Sequence, residues 1–113
     1  MAAQRIITDL TQYRKDTYKV NDLLNILRHI NNGRIEVTTE KVEGSIQTYI
    51  NDEVSDLVDS MACQVLIQTD GRVNYGNAKI LYKEGFDIIP LEKDSFGWLV
   101  GGIVTKKGII KFG

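Results

Sequence analysis

The stretch Thr69-Asp70-Gly71-Arg72-Val73-Asn74-Tyr75-Gly76-Asn77 gathers residue types that could recognise a small anion. It is expected to follow a strand and lead into a helix, where free amides and the helix dipole favour negative charge and where α/β folds commonly place ligands. Arg72 would add charge, Asn74 and Asn77 would read polar edges, Tyr75 would stack on a base, and the amides around Gly76 would cradle a phosphate. The same residues also make an ordinary strand-to-helix turn, with Gly71 and Gly76 relieving backbone crowding and Asn77 capping the helix. Neither Gly-x4-Gly-Lys-Ser/Thr nor Gly-x-Gly-x-x-Gly is present, so a nucleotide- or anion-binding module is the second functional reading rather than the first.

Carboxylates supply a third and weaker reading. Asp52, Asp56 and Asp59 fall within one arc of an expected helix and could collect a hard cation, but they lie opposite its apolar stripe, where solvated charges are ordinary. Asp70 with Glu92 and Asp94 would suit a metal-dependent hydrolase. Adjacent Glu92 and Lys93 point to opposite faces of a strand, however, whereas an acid-x-lysine signature places both on one. Nucleophilic catalysis would have to use His29, the only histidine, which lies late in a helix. Nothing in the spacing sets Ser60, Cys63 or Ser95 beside it. Cys63 is the sole cysteine and stands in an apolar run, which excludes an intrachain disulfide and a cysteine-based zinc site and reads as a small buried thiol. No catalytic residue, metal site or cofactor is assigned.

The elements that would position these residues follow from periodicity. Val20, Leu23, Leu24, Leu27 and Ile30 recur every three or four residues between Asn21-Asp22 and Asn32-Gly33, which predicts a helix over 21–31. Arg34 to Thr39 alternates like a strand. Residues 45–50 fit either the first turns of a long helix or the return strand of a hairpin, and the helix from about Asp52 to Met61 stands in both cases. Gln64 to Gln68 reads as a buried strand, Asn77 opens a helix over 77–84 that Gly85 ends, and Phe86 to Leu91 is a strand, giving a βαβ-like unit. Pro90 inside it points to an edge or a strand end. Trp98 to Thr105 and Ile109 to Phe112 form a C-terminal antiparallel meander across Lys106-Lys107-Gly108, and residues 4–15 are open between helix and extended arm.

The whole is expected to be one α+β or α/β domain, 1–113, with a mixed sheet of four to five strands and two to three helices packed on it. A chain of 113 residues, 42% hydrophobic and 26% charged, suits a single core and leaves too little for a second. The net charge of −1, from 14 basic and 15 acidic residues, gives no single-sign field for nucleic acid or anionic lipid. The longest uncharged stretch, Ser95 to Thr105, is broken by three glycines and falls short of the ~20 apolar residues that span a bilayer. The first residues lack the apolar run of a secretory signal, so a cytoplasmic setting is expected, that of a host cell or a virion if the chain is phage-encoded.

The leading functional reading comes from the tail. Phe96, Trp98, Leu99, Val100, Ile103, Ile109, Ile110 and Phe112 load a small region with large apolar groups, and alternation lets only one face of a sheet enter the chain's own core. A second apolar face would meet a protein partner, with Phe96, Trp98, Val100 and Phe112 at the contact. The chain is therefore expected to be a non-enzymatic binding or assembly protein, a homo-oligomer or a subunit of a larger, phage-type particle.

Overall fold

The computed structural model describes residues 10–93 and 99–113, with the backbone alone at 90–93, 99 and 100. In chain order they form a 3-10 turn at Thr11–Tyr13, α1 (Val20–Asn31), β1 (Thr39–Lys41), β2 (Thr48–Ile50), α2 (Glu53–Leu66), α3 (Tyr75–Lys83), β3 (Asp87–Lys93), β4 (Leu99–Thr105) and β5 (Gly108–Phe112). The strands make one mixed sheet in the order β1-β2-β5-β4-β3, antiparallel throughout except where β2 meets β5. This is the single-domain α+β architecture that the sequence predicts.

Helix α1 exists because its apolar residues share one face, and Leu23, Leu24, Ile26, Leu27 and Ile30 are all buried. Its start is fixed by Asp22, whose carboxylate accepts from the Lys19 amide at 2.8 Å and from Lys15 Nζ at 2.7 Å. Those two donors, Lys15 first, hold the Asp22 carboxyl below its ordinary range. Helix α2 is opened by Asp52, whose Oδ1 accepts from the amides of Val54 and Ser55. Its Oδ2 accepts from the Thr38 amide at 2.6 Å, so one carboxylate both starts α2 and anchors the segment that leads into β1.

Three local expectations are corrected. Residues 34–38 pair with no described strand; Ile35 is buried and Thr38 spends its amide on Asp52, so the strand begins only at Thr39. The stretch Gln64 to Gln68 is no separate strand either. Val54, Leu57, Val58, Met61, Ala62, Val65 and Leu66 continue one three-four spacing, and α2 runs through Leu66 before Ile67 pairs with Val73 across a tight turn. That removes the first strand of the expected βαβ-like unit. Finally, α3 starts two residues before Asn77, because Asn74 is its cap.

Other features stand as read. Residues 48–50 take the hairpin alternative, with Thr39 opposite Ile50 and Lys41 opposite Thr48. Gly85, at φ 92°, closes α3: the Gly85 amide bonds to the Tyr82 carbonyl and the Phe86 amide to that of Leu81, a left-handed stop that delivers Phe86 into the core. Pro90 sits in the edge strand β3, at a register shift between Ile89 and Glu92.

The core lies between the sheet and the helices. Ile88, Ile103 and Ile110 form a row across β3, β4 and β5 and join the apolar faces of α1 and α2 in one buried cluster. On the opposite face the rows are Ile89, Gly102, Lys111 and Asp87, Val104, Ile109, Tyr49. Gly102 is needed there: a Cβ would stand 3.0 Å from Ile109 Cγ2 and 3.2 Å from Ile89 Cδ1, so the two isoleucines close over bare backbone.

Candidate interaction surfaces

The loop 69–77 is occupied by its own structure. The Gln68 amide bonds to the Arg72 carbonyl at 2.8 Å, the Gly71 amide to the Gln68 carbonyl, and the Asn74 amide to the Leu66 carbonyl at 2.7 Å, with Gly71 at φ 81° permitting the turn. Asn74 Oδ1 accepts from the Asn77 amide, and Asn77 Nδ2 donates to the Val65 carbonyl at 2.8 Å. Both asparagines thus serve the junction of α2 and α3. Arg72 is exposed, 3.8 Å from Asp70, whose other oxygen accepts from the Arg72 amide. Gly76 lies on the open surface of the first turn of α3. Of the five residues expected to bind an anion, Tyr75 alone projects with nothing else to do, at 75% exposure.

The carboxylates expected to gather a cation are likewise dispersed into local roles. Asp52 is a cap, while Asp59 Oδ1 accepts from the Gly113 amide at 3.0 Å and lies 3.5 Å from Cys63 Sγ. Burial, and after it Asp59, push the Cys63 thiol above its ordinary value, away from the reactive thiolate. Among the described residues no three histidine, cysteine or acidic side chains come together as a metal site. Asp94 lies outside the described residues, and only the backbone of Glu92 is described. His29 packs its ring 6.0 Å from that of Tyr13. Burial first, then Arg34, lower its pKa, which is the behaviour of a core-edge imidazole.

The expected interface residues divide. Phe96 and Trp98 lie outside the described residues, and Val100 is described by its backbone, paired with Glu92. Phe112 belongs to the core rather than to a contact surface: it is 2% exposed, on the sheet face that carries Ile110 and meets α2. Among the described residues, part of the other face of the meander is covered by its own side chains. Ile109 is buried beside Ile89 over Gly102, Lys111 Nζ stands 4.6 Å above the Tyr49 ring, and the hollow left between Tyr49, Ile89, glycines 101 and 102, Ile109 and Lys111 is only about 160 Å³.

The exposed apolar groups lie elsewhere, in two patches. Among the described residues the large hydrophobic side chains open to solvent are Val42 and Ile46 on the β1–β2 hairpin and Tyr75, Ile80 and Tyr82 on α3. Ile46 is 97% exposed on a connection that its own hydrogen bonds shape. The Ser45 amide bonds to the Val42 carbonyl, Gly44 takes φ 80°, Ser45 Oγ accepts from the Gln47 amide, and the Tyr49 hydroxyl donates to the Gln47 side chain. On α3, Tyr75, Lys79 and Tyr82 follow the four-three spacing of one stripe. Tyr82 and Ile46 were not singled out by the sequence. The signal for Tyr82 was available in that spacing from Tyr75; Ile46 shares its alternation with buried Ile50 and offered none.

The patches differ in charge. Exposed Glu40 and Glu43 flank Val42, with Lys41 between them. Lys79 and Lys83 flank the tyrosines, and among the described residues neither is in an ion pair, whereas neighbouring Glu84 is bound to Arg28 at 2.6 Å and Asp70 to Arg72.

Comparison with protein-family models, with curated proteins and with solved structures finds no significant match, so the functional reading rests on these residues alone.

Proposed function

We propose that this chain is a non-enzymatic binding and assembly protein that acts through protein–protein contact, as a homo-oligomer or as a subunit of a larger particle. One observation carries the reading. Among the described residues, the large apolar side chains open to solvent fall on two elements, the β1–β2 hairpin and α3, each of which also carries exposed charge. Tyrosines and aliphatic groups ringed by charged residues are the usual make-up of an interface centre and its rim. Covering a side chain as open as Ile46 is worth about 1.5–3 kcal/mol. Its turn is already formed by internal hydrogen bonds, which limits the ordering cost of docking.

The anion-binding alternative has less support because the Asn74 and Asn77 side chains and the Asn77 amide serve the α2–α3 junction. Light scattering at high micromolar concentration tests the proposal. A native mass above that of the monomer supports it, and a monomer at every concentration with nothing copurifying contradicts it.

A further inference from the structure

The two patches are complementary and cannot meet within one molecule. The hairpin occupies the β1 edge of the sheet, while α3 packs against α2 and β3, the strand at the other edge. Four inter-strand spacings separate the edges, about 19 Å. Each element presents exposed apolar side chains: Val42 and Ile46 on the hairpin, Tyr75 and Tyr82 on one stripe of α3. At the rim the first offers Glu40 and Glu43 with Lys41 between them, a net negative charge, and the second offers Lys79 and Lys83, which have no ion-pair partner among the described residues.

From this we infer that copies of the chain join head to tail, the β1–β2 hairpin of one lying across α3 of the next. The inference rests on the reading of the chain as an assembly protein and names the surfaces and the occupant: a second copy of the chain. Ile46 and Val42 pack on the rings of Tyr75 and Tyr82, and Glu40 and Glu43 face Lys79 and Lys83. Each molecule then uses two different surfaces, so the contact is heterologous, and the assembly closes into a ring or grows as a filament according to the rotation between neighbours.

The sheet edges support this mode over strand addition. The side chains of β1 are all exposed and include Glu40 and Lys41, and β3 carries Pro90 and a register shift, features that discourage edge-to-edge pairing. The charged rim adds a salt dependence, since exposed pairs are screened beyond about 8 Å at physiological ionic strength.

The test uses two variants of the full chain, Ile46→Asp and Tyr82→Asp, each verified as folded by circular dichroism. Both positions are exposed, so the fold tolerates the changes. Each variant alone is expected to lose self-association by at least about tenfold in sedimentation velocity, the effect of truncating an interface anchor. Mixed one to one, they are expected to form a heterodimer and nothing larger, because each retains the surface the other lacks. Charge reversal gives a second arm: Lys79→Glu with Lys83→Glu should weaken assembly and recover it on mixing with Glu40→Lys, Glu43→Lys. If the variants stay monomeric when mixed, the contact is not head to tail and the inference falls while the assembly reading stands. If the wild type assembles and neither substitution changes its mass, a different surface is used, with the same consequence. A wild type that never self-associates overturns the inference, and it overturns the assembly reading as well when nothing copurifies with it.

Discussion

The close approach of Ile89 and Ile109 over Gly102 makes a demanding prediction there. In Gly102→Ala the added methyl would sit 3.0 Å from Ile109 Cγ2 and 3.2 Å from Ile89 Cδ1. The Ile89 contact is with the end of a side chain and can yield. Ile109 is different: Cγ2 moves only with a stiff β-branched χ1, and the residue is held between Val104 on β4 and Tyr49 on β2. Overpacking of this kind costs about 1–3 kcal/mol, against which replacing a glycine in a strand returns about 0.5–1 kcal/mol. The net expectation is a loss of about 1 kcal/mol, larger for Gly102→Val. Urea unfolding followed by circular dichroism reads it as a lower midpoint at unchanged slope. Ile109→Ala removes the methyl in question, so the double variant should lose less than the two single losses together, by an amount that a double-mutant cycle isolates. A Gly102→Ala protein more stable than wild type would refute the reasoning, since the two isoleucines would then not be closing over the glycine.

Two further predictions concern the helix starts. Asp52→Ala removes the cap of α2 and leaves the Thr38 amide unpaired; a loss of about 1–2 kcal/mol is expected in urea unfolding, and a loss under half of that would deny the carboxylate its double role. Asp22 titrates below its ordinary 3.8 because Lys15 and the Lys19 amide stabilise the charged form. A carboxylate with a lowered folded-state pKa adds stability above the unfolded value and forfeits it as pH falls through the folded one. Asp22→Asn should therefore be less stable than wild type at pH 7 and indistinguishable from it once the pH is well below 3.8, which thermal melts across that range would check.

The parts of the fold that were legible in the chain are those with a long, unambiguous period. The α1 stripe, the body of α2, the Gly85 stop and the β4–β5 meander each carry their own signal, and Pro90 announces an edge. The misread segments are short apolar runs whose period depends on what precedes them. Val65 and Leu66 look like a strand beside Ile67, yet they fall three and four residues after Ala62, and no breaker separates them from α2. Ile35 and Val37 alternate as a strand would, but Asp52 takes the Thr38 amide and pairing starts later.

Reading the surface was harder than reading the core, for a physical reason. Alternation assigns Ile46, Thr48 and Ile50 to one side, and Ile50 is indeed buried, at 3%. Ile46 lies four residues before Ile50, in the connection outside the paired residues 48–50, so the same parity leads to solvent. On the outer face of the meander, Gly102 lets Ile89 and Ile109 lie over bare backbone, an approach that the strand alternation alone does not reveal. Burial on a sheet face depends on how far the covering layer extends, which no local pattern in the strand encodes.

The most direct test of the account is where the protein becomes protected as it assembles. Tyrosine modification mapped by mass spectrometry, run on the wild type at low and at high micromolar concentration, samples both exposed and buried rings at once. Tyr75 and Tyr82 should react readily when dilute and become protected together when concentrated, while buried Tyr18 stays slow in both. Unchanged rates at Tyr75 and Tyr82 over a range in which the native mass rises would contradict the claim that this chain assembles through α3.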